Sequence, residues 1–173
     1  MKETAQQYTQ RILGNVNGKD ALKVQKSTPK KLAKMIKPLK KKSLKKRPEG
    51  DRWSIAEILA HLADAELVAG WRLRNILTSD GTPIQAFDQD SWAKTFRYDK
   101  RDAQESLRVF KVLRENNISL LKSVPEKLWE NHGMHAERGK ETVAHMVRLY
   151  AGHDINHLKQ VEQAVNGKRK KKK

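Results

Sequence analysis

His153 and His157 stand four residues apart in a stretch of helical apolar periodicity, so one turn separates them on the same face. Two imidazoles at this spacing can ligate one metal ion. On a helical wheel Val143, Met146, Val147, Tyr150, Val161 and Val165 share one arc. His157 falls inside that arc and His153 at its edge, so both point into or beside a core. A third candidate, His61, lies one turn after Glu57 and flanks the stripe defined by Ile58 and Ala65. Three neutral imidazoles leave coordination positions open to water or substrate. That is the pattern of catalytic rather than structural zinc, and it also suits nickel or iron. A plainer reading competes, because a core-facing histidine is usually just hydrogen-bonded and histidine pairs at i, i+4 arise by chance. His132 and His135 fall in a glycine-containing loop and are expected in solvent-exposed polar roles, while His145 faces outward and is excluded as a ligand.

The chain has no cysteine. That excludes a disulfide framework, a thiolate zinc site, an iron–sulfur cluster and a cysteine nucleophile, so any thiol must come from a cosubstrate. Asp64, one turn after His61, could orient it as a hydrogen-bond acceptor, and Asp154 is a weaker candidate for the same role on the later pair. Gln160 lies on the side of His153 and His157 and could bind substrate or water. Trp92 is placed near a pocket mouth. Each also has an ordinary reading, as a solvated or inter-helix polar group or as a packing anchor.

The elements that must position these groups are helices. A short one is expected over 3–13, stopped by Gly14. The next is expected over 28–46, capped by Ser27 or Thr28, with Pro29 in its first turn and Pro38 kinking or splitting it. Ser54 and Glu57 form a capping box opening a helix over 54–78. A long connection, 79–101, holds one helical turn near Asp90 to Thr95, and such a length is often functional. Helices over 102–123 and 141–165 follow, separated by a short turn near Pro125 to Trp129 and a loop over 131–140, with Asn166-Gly167 ending the last. Four long amphipathic helices, two of them joined by a long crossover, predict an all-α four-helix bundle. The expected organisation is an N-terminal extension over 1–24, the bundle over 25–165 and a disordered lysine-rich tail over 166–173.

The net charge is +17. Lys23 to Arg47 holds twelve basic residues and no acidic one, and 168–173 holds six more, so the remainder is close to neutral. These blocks predict weak, salt-dependent contact with nucleic acid, another polyanion or an anionic membrane surface; a merely solvated surface is the competing account. Aromatics are not interleaved with the lysines, which argues against base stacking or sequence readout there. No apolar run could span a bilayer, and MKETAQQYTQRIL lacks a signal-peptide core, so a cytoplasmic protein is expected.

Trp53-Ser54-Ile55-Ala56-Glu57-Ile58-Leu59-Ala60-His61-Leu62-Ala63-Asp64-Ala65-Glu66 resembles the hallmark second helix of the DinB-like metal-binding family. Gly152-His153-Asp154-Ile155-Asn156-His157-Leu158-Lys159-Gln160 is similar to that family's closing motif, and the segments Gln85 to Trp92 and Gly133 to Gly139 resemble one branch of it. The similarity spans roughly 25–165. It implies an up-down-down-up bundle, commonly a homodimer, with a divalent metal (zinc, nickel or a related ion) on His61, His153 and His157. It also implies small-molecule chemistry, since characterised relatives include transferases and isomerases dependent on a low-molecular-weight thiol. The lysine-loaded first helix and tail depart from the family pattern. A metal-dependent transferase or hydrolase is therefore expected, with a polyanion-binding module or a non-catalytic scaffold as alternatives.

Overall fold

A computed structural model describes residues 3–50 and 52–170, the last three as backbone. The elements run α1 (Ala5–Gly14), α2 (Ala21–Ile36), α3 (Lys41–Leu44), α4 (Ile55–Thr78), β1 (Thr82–Ile84), α5 (Gln89–Thr95), α6 (Ala103–Ser123), a 3₁₀ turn (Glu126–Glu130), β2 (His132–His135), β3 (Gly139–Thr142) and α7 (Val143–Lys170).

Two apolar clusters fix the directions of the long helices. At one end, Leu32 and Ile36 of α2 and Leu158, Val161 and Val165 of α7 pack with the beginnings of α4 (Ile55, Ile58, Leu59) and α6 (Ala103, Leu107, Phe110). At the other, Val143, Met146 and Val147 of α7 meet Leu73 and Ile76 of α4 and Leu121 of α6, with Ala21 and Leu22 of α2 against them. Helices α2 and α7 are therefore parallel to each other and antiparallel to α4 and α6, which is the up-down-down-up bundle. α4 packs on α6 and on α7, and α2 on α6 and α7, so α2 and α4, successive long helices, lie across the diagonal. α1 lies outside on α7, close enough that a Cβ on Gly152 would stand 2.0 Å from the Ile12 carbonyl oxygen.

Local chemistry sets the boundaries. Ser54 and Glu57 form the reciprocal capping box, with Ser54 N–H donating to Glu57 at 2.8 Å and Glu57 N–H to Ser54 Oγ at 3.3 Å. Glu57 also holds Arg47. Asp102 and Asp88 cap α6 and α5 through two backbone N–H groups each. Thr142 Oγ1 accepts the His145 N–H at 3.0 Å as α7 begins.

Several boundaries differ from expectation. α2 starts at Ala21, capped by Asp20, rather than at Thr28, so Pro29 sits inside the helix. Proline cannot donate to the carbonyl four residues back, and that oxygen, on Gln25, instead accepts Arg114 Nη1 at 3.0 Å. Near Pro38 the chain splits: α2 ends at Ile36 and α3 is a separate turn. α1 is tied into the body, with Ile12 and Val16 fully or almost fully buried. α7 continues past Gly167 to Lys170, whereas a disordered tail was expected from 166; residues 171–173 lie outside the described residues. The 79–101 connection contributes β1, and the 131–140 loop is a hairpin: β1 pairs parallel with β2, and β2 antiparallel with β3. No described helix is long and apolar enough to cross a membrane.

Candidate metal centre

The antiparallel seam of α4 and α7 brings His61 opposite His153 and His157. His61 Nε2 lies 3.0 Å from His153 Nε2, which lies 3.1 Å from His157 Nε2. Among the described residues this is the one cluster of three such side chains able to share an ion, all ligand atoms falling within 4.8 Å of one another. Nitrogens bound at about 2.0–2.1 Å to one ion must sit about 3 Å apart, so the spacing suits a shared cation.

Protonation supports the same use. His61 and His157 are buried and His153 is half-buried. Burial, aided by the neighbouring imidazoles, holds His61 and His153 well below the ordinary histidine value. Burial pushes His157 down to about 4. All three are uncharged at neutral pH, with lone pairs to offer. His157 Nδ1 donates to Gln160 Oε1 at 2.8 Å, which leaves Nε2 as the lone-pair nitrogen facing the other rings. His61 Nδ1 is buried without a hydrogen-bond partner; its ring is held by packing, with the Trp53 ring 5.0 Å away. Tyr150 stands edge-on to His153 at 6.2 Å.

The supporting residues read from sequence fall in other places. Asp64 does not orient His61: it accepts the Tyr98 hydroxyl at 2.7 Å and Arg101 Nη1 at 3.1 Å, tying α4 to the segment before α6. Burial and the adjacent Asp64 raise the Tyr98 phenol above its usual value. Asp154 does not orient the pair on α7. Its carboxylate instead pairs with buried Arg114 of α6, which also holds Glu66 of α4 at 2.7 Å. Asn117 Nδ2 completes that set by donating to Glu66 at 2.8 Å. Gln160 contacts His157 itself. Trp92 is half-buried, with the Phe87 ring tilted against it at 4.9 Å and the Phe96 ring edge-on at 5.4 Å, and lines a cleft against α4. His135 is buried, not exposed, and its Nδ1 accepts the Glu137 N–H at 3.1 Å. His132 pairs with Asp80 at 2.8 Å. The Arg114 network was missed. Its signal was Arg114 and Asn117 falling on the inner side of the 102–123 helix, among Leu107, Phe110, Ile118 and Leu121.

Comparison with known proteins finds relatives described as metal-dependent. A relative from Oceanobacillus iheyensis named "Putative metal-dependent hydrolase" is 27% identical over 106 residues, 61% of each chain. A second from the same organism and of the same description is 26% identical over 137 residues, 79% of this chain and 78% of its own. The match thus spans less than two thirds of the first relative's length. Among solved structures, YfiT from Bacillus subtilis, described as "a probable metal-dependent hydrolase with an unusual four-helix bundle topology", superposes with a TM-score of 0.75. It is 18% identical, and the match covers 94% of this chain and 89% of that one. A mycothiol-dependent maleylpyruvate isomerase superposes with a TM-score of 0.61 at 9% identity, over 78% of this chain and 58% of its own. The DinB superfamily model matches residues 26–161, which takes in the bundle and all three clustered histidines, and the chain belongs to that superfamily.

Proposed function

We propose that the protein is a divalent-metal-dependent enzyme acting on a small molecule, with His61, His153 and His157 as the ligands. The observation that carries this reading is the approach of three uncharged Nε2 atoms from two helices. A zinc, nickel or iron ion held there supplies Lewis acidity, to polarise a carbonyl or to keep a thiol deprotonated near neutral pH. The chain's own part is positional. Gln160 fixes the His157 tautomer, Trp53 walls the His61 side, and α4 and α7 hold the rings at fixed separation. With no cysteine in the sequence, a thiol nucleophile is a cosubstrate. Hydrolysis is supported by the relatives' names, and thiol-dependent transfer by the mycothiol-dependent neighbour.

The test is elemental mass spectrometry on protein purified without a histidine tag, beside His61→Ala, His153→Ala and His157→Ala. About one divalent ion per chain, lost in each variant while the helical circular-dichroism signal persists, is expected. Wild-type protein that takes up no zinc, nickel or iron after reloading refutes the reading.

One arrangement favours a second role. Because α2 and α7 are parallel, the backbone of α7 as far as Lys170 ends at the same end of the bundle as α2. The lysines of α2 and α3 are exposed, as are Lys37, Lys40, Lys45 and Lys46 beside them. Retention on heparin that falls with salt, and is lost when 168–173 are removed and the lysines of 30–46 are neutralised, is the expected result. Retention unchanged in that variant refutes it.

A further inference from the structure

Arg72 is a buried cation without a counter-charge. It is 7% exposed, and a guanidinium stays protonated. Elsewhere in the core the chain pairs such groups: Arg114 with Glu66 and Asp154, Arg138 with Glu141. Among the described residues Arg72 forms no ion pair. Its Nη2 donates to the Gln85 carbonyl oxygen, and its guanidinium lies 5.8 Å over the Phe87 ring. The phenol of Tyr150, neutral at ordinary pH because burial raises it, is also near Arg72. A buried charge paired only with neutral groups is costly, and functional sites are where such costs are kept.

Arg72 also lines a cleft of about 750 Å³ between α4 and the segment from β1 to α5, a volume usual for a small-molecule site. Its walls are mostly apolar, with Val68, Trp71, Ile84, Phe87 and Trp92 beside the polar Asn75, Thr82 and Gln85. Trp71 is 69% exposed, an indole left open to a ligand rather than packed. Asp88 lines the cleft too, but its carboxylate accepts the Asp90 and Ser91 N–H groups at 2.9 and 3.1 Å as the cap of α5. Seven and eleven residues after His61, Val68 and Arg72 share its face of α4. Tyr150 stands 6.2 Å from His153 and also interacts with Arg72.

We propose that this cleft binds a small organic anion, a carboxylate or phosphate monoester carried on a flat apolar group, with the Arg72 guanidinium as receptor and the indoles as walls.

Calorimetry and tryptophan quenching with 1-naphthoate, 1-naphthyl phosphate and neutral 1-naphthamide test this. Wild type is expected to bind at least one of the two anions at least tenfold more tightly than the amide, and their order identifies the head group. Arg72→Gln should lose at least tenfold in anion affinity and little in amide affinity. Arg72→Met should keep or raise Tm, since it removes an uncompensated buried charge, which a purely structural arginine would not allow. His153→Ala should lose the metal and still bind the anion, so failure of the metal reading and failure of this one are separable. Equal binding of naphthoate, naphthyl phosphate and naphthamide by wild type overturns the proposal, and this comparison needs no variant to fold. So does a dimer that binds no anion and is split by Arg72→Gln, which would place a second copy's carboxylate on Arg72.

Discussion

Arg114→Met is the most exacting test of how this bundle holds its histidines. Arg114 is 1% exposed and joins Glu66, Asp154 and the Gln25 carbonyl, so three helices meet on one guanidinium. Methionine fills much of the space but leaves two buried carboxylates, on Glu66 and Asp154, facing each other unpaired. Breaking a buried ion pair from one side costs about 3–5 kcal/mol. With a urea slope of about 2 kcal/mol per molar, the unfolding midpoint should fall by about 2 M. The deficit should shrink as pH falls toward 5, because an unpaired buried carboxylate relieves its cost by taking up a proton. Glu66 is already raised by burial with Arg114 present. The triple variant Arg114→Met/Glu66→Leu/Asp154→Leu should recover most of the loss, since apolar replacement of a whole buried network is often neutral or better. Asp154 follows His153 directly on α7, so zinc affinity should fall in the single variant before the fold is lost. A midpoint shift below about 0.5 M, or a triple variant no more stable than the single one, refutes the reasoning.

Metal-free protein should lose stability as pH falls from 7 to 5. The depressed histidines contribute stability that is complete above the unfolded value of 6.5 and lost as pH falls toward their folded values. His157 alone should account for about 2 kcal/mol over that range, and urea titration at fixed pH values that shows no loss refutes this. Gln160→Leu should weaken zinc binding about 10- to 100-fold with Tm nearly unchanged, whereas Gln160→Glu should preserve it; competition with a chelator reads both. Gly152→Ala should push α1 off α7, because no side chain fits 2.0 Å from the Ile12 oxygen. Hydrogen exchange should then show 5–14 losing protection while α4 and α6 keep theirs.

The sequence was most legible where one local rule acted alone. The Ser54–Glu57 box needs only neighbours, and the His153–His157 spacing needs only a helix. His61 joined them because the second helix had a clear inner stripe. The limits of α2 were misread because Thr28-Pro29 has the form of a helix start. The deciding fact is tertiary: Arg114, 89 residues along the chain from Gln25, takes the Gln25 carbonyl that Pro29 leaves unbonded. Strands of three and four residues escape a period-two reading and exist because they pair with one another. Asp64 and Asp154 were assigned to the nearest histidines in sequence. Their helical faces put Tyr98 and Arg101 beside one and Arg114 beside the other. Arg72 carried no signal at all, since an arginine in an amphipathic helix normally lies in water.

The up-down-down-up order also dictates when the histidine centre can exist. α4 and α6 run parallel, so no tight hairpin joins them, and His61 meets His153 only after 92 positions of chain have been closed into a loop. No fragment ending before α7 contains two of the three histidines, and no pair of successive long helices contains them all. Contacts of such long sequence separation form late on a folding route. On the proposed reading, metal uptake during refolding should therefore time the docking of α7 on α4, and a chain stalled with only α4 and α6 paired should take up none.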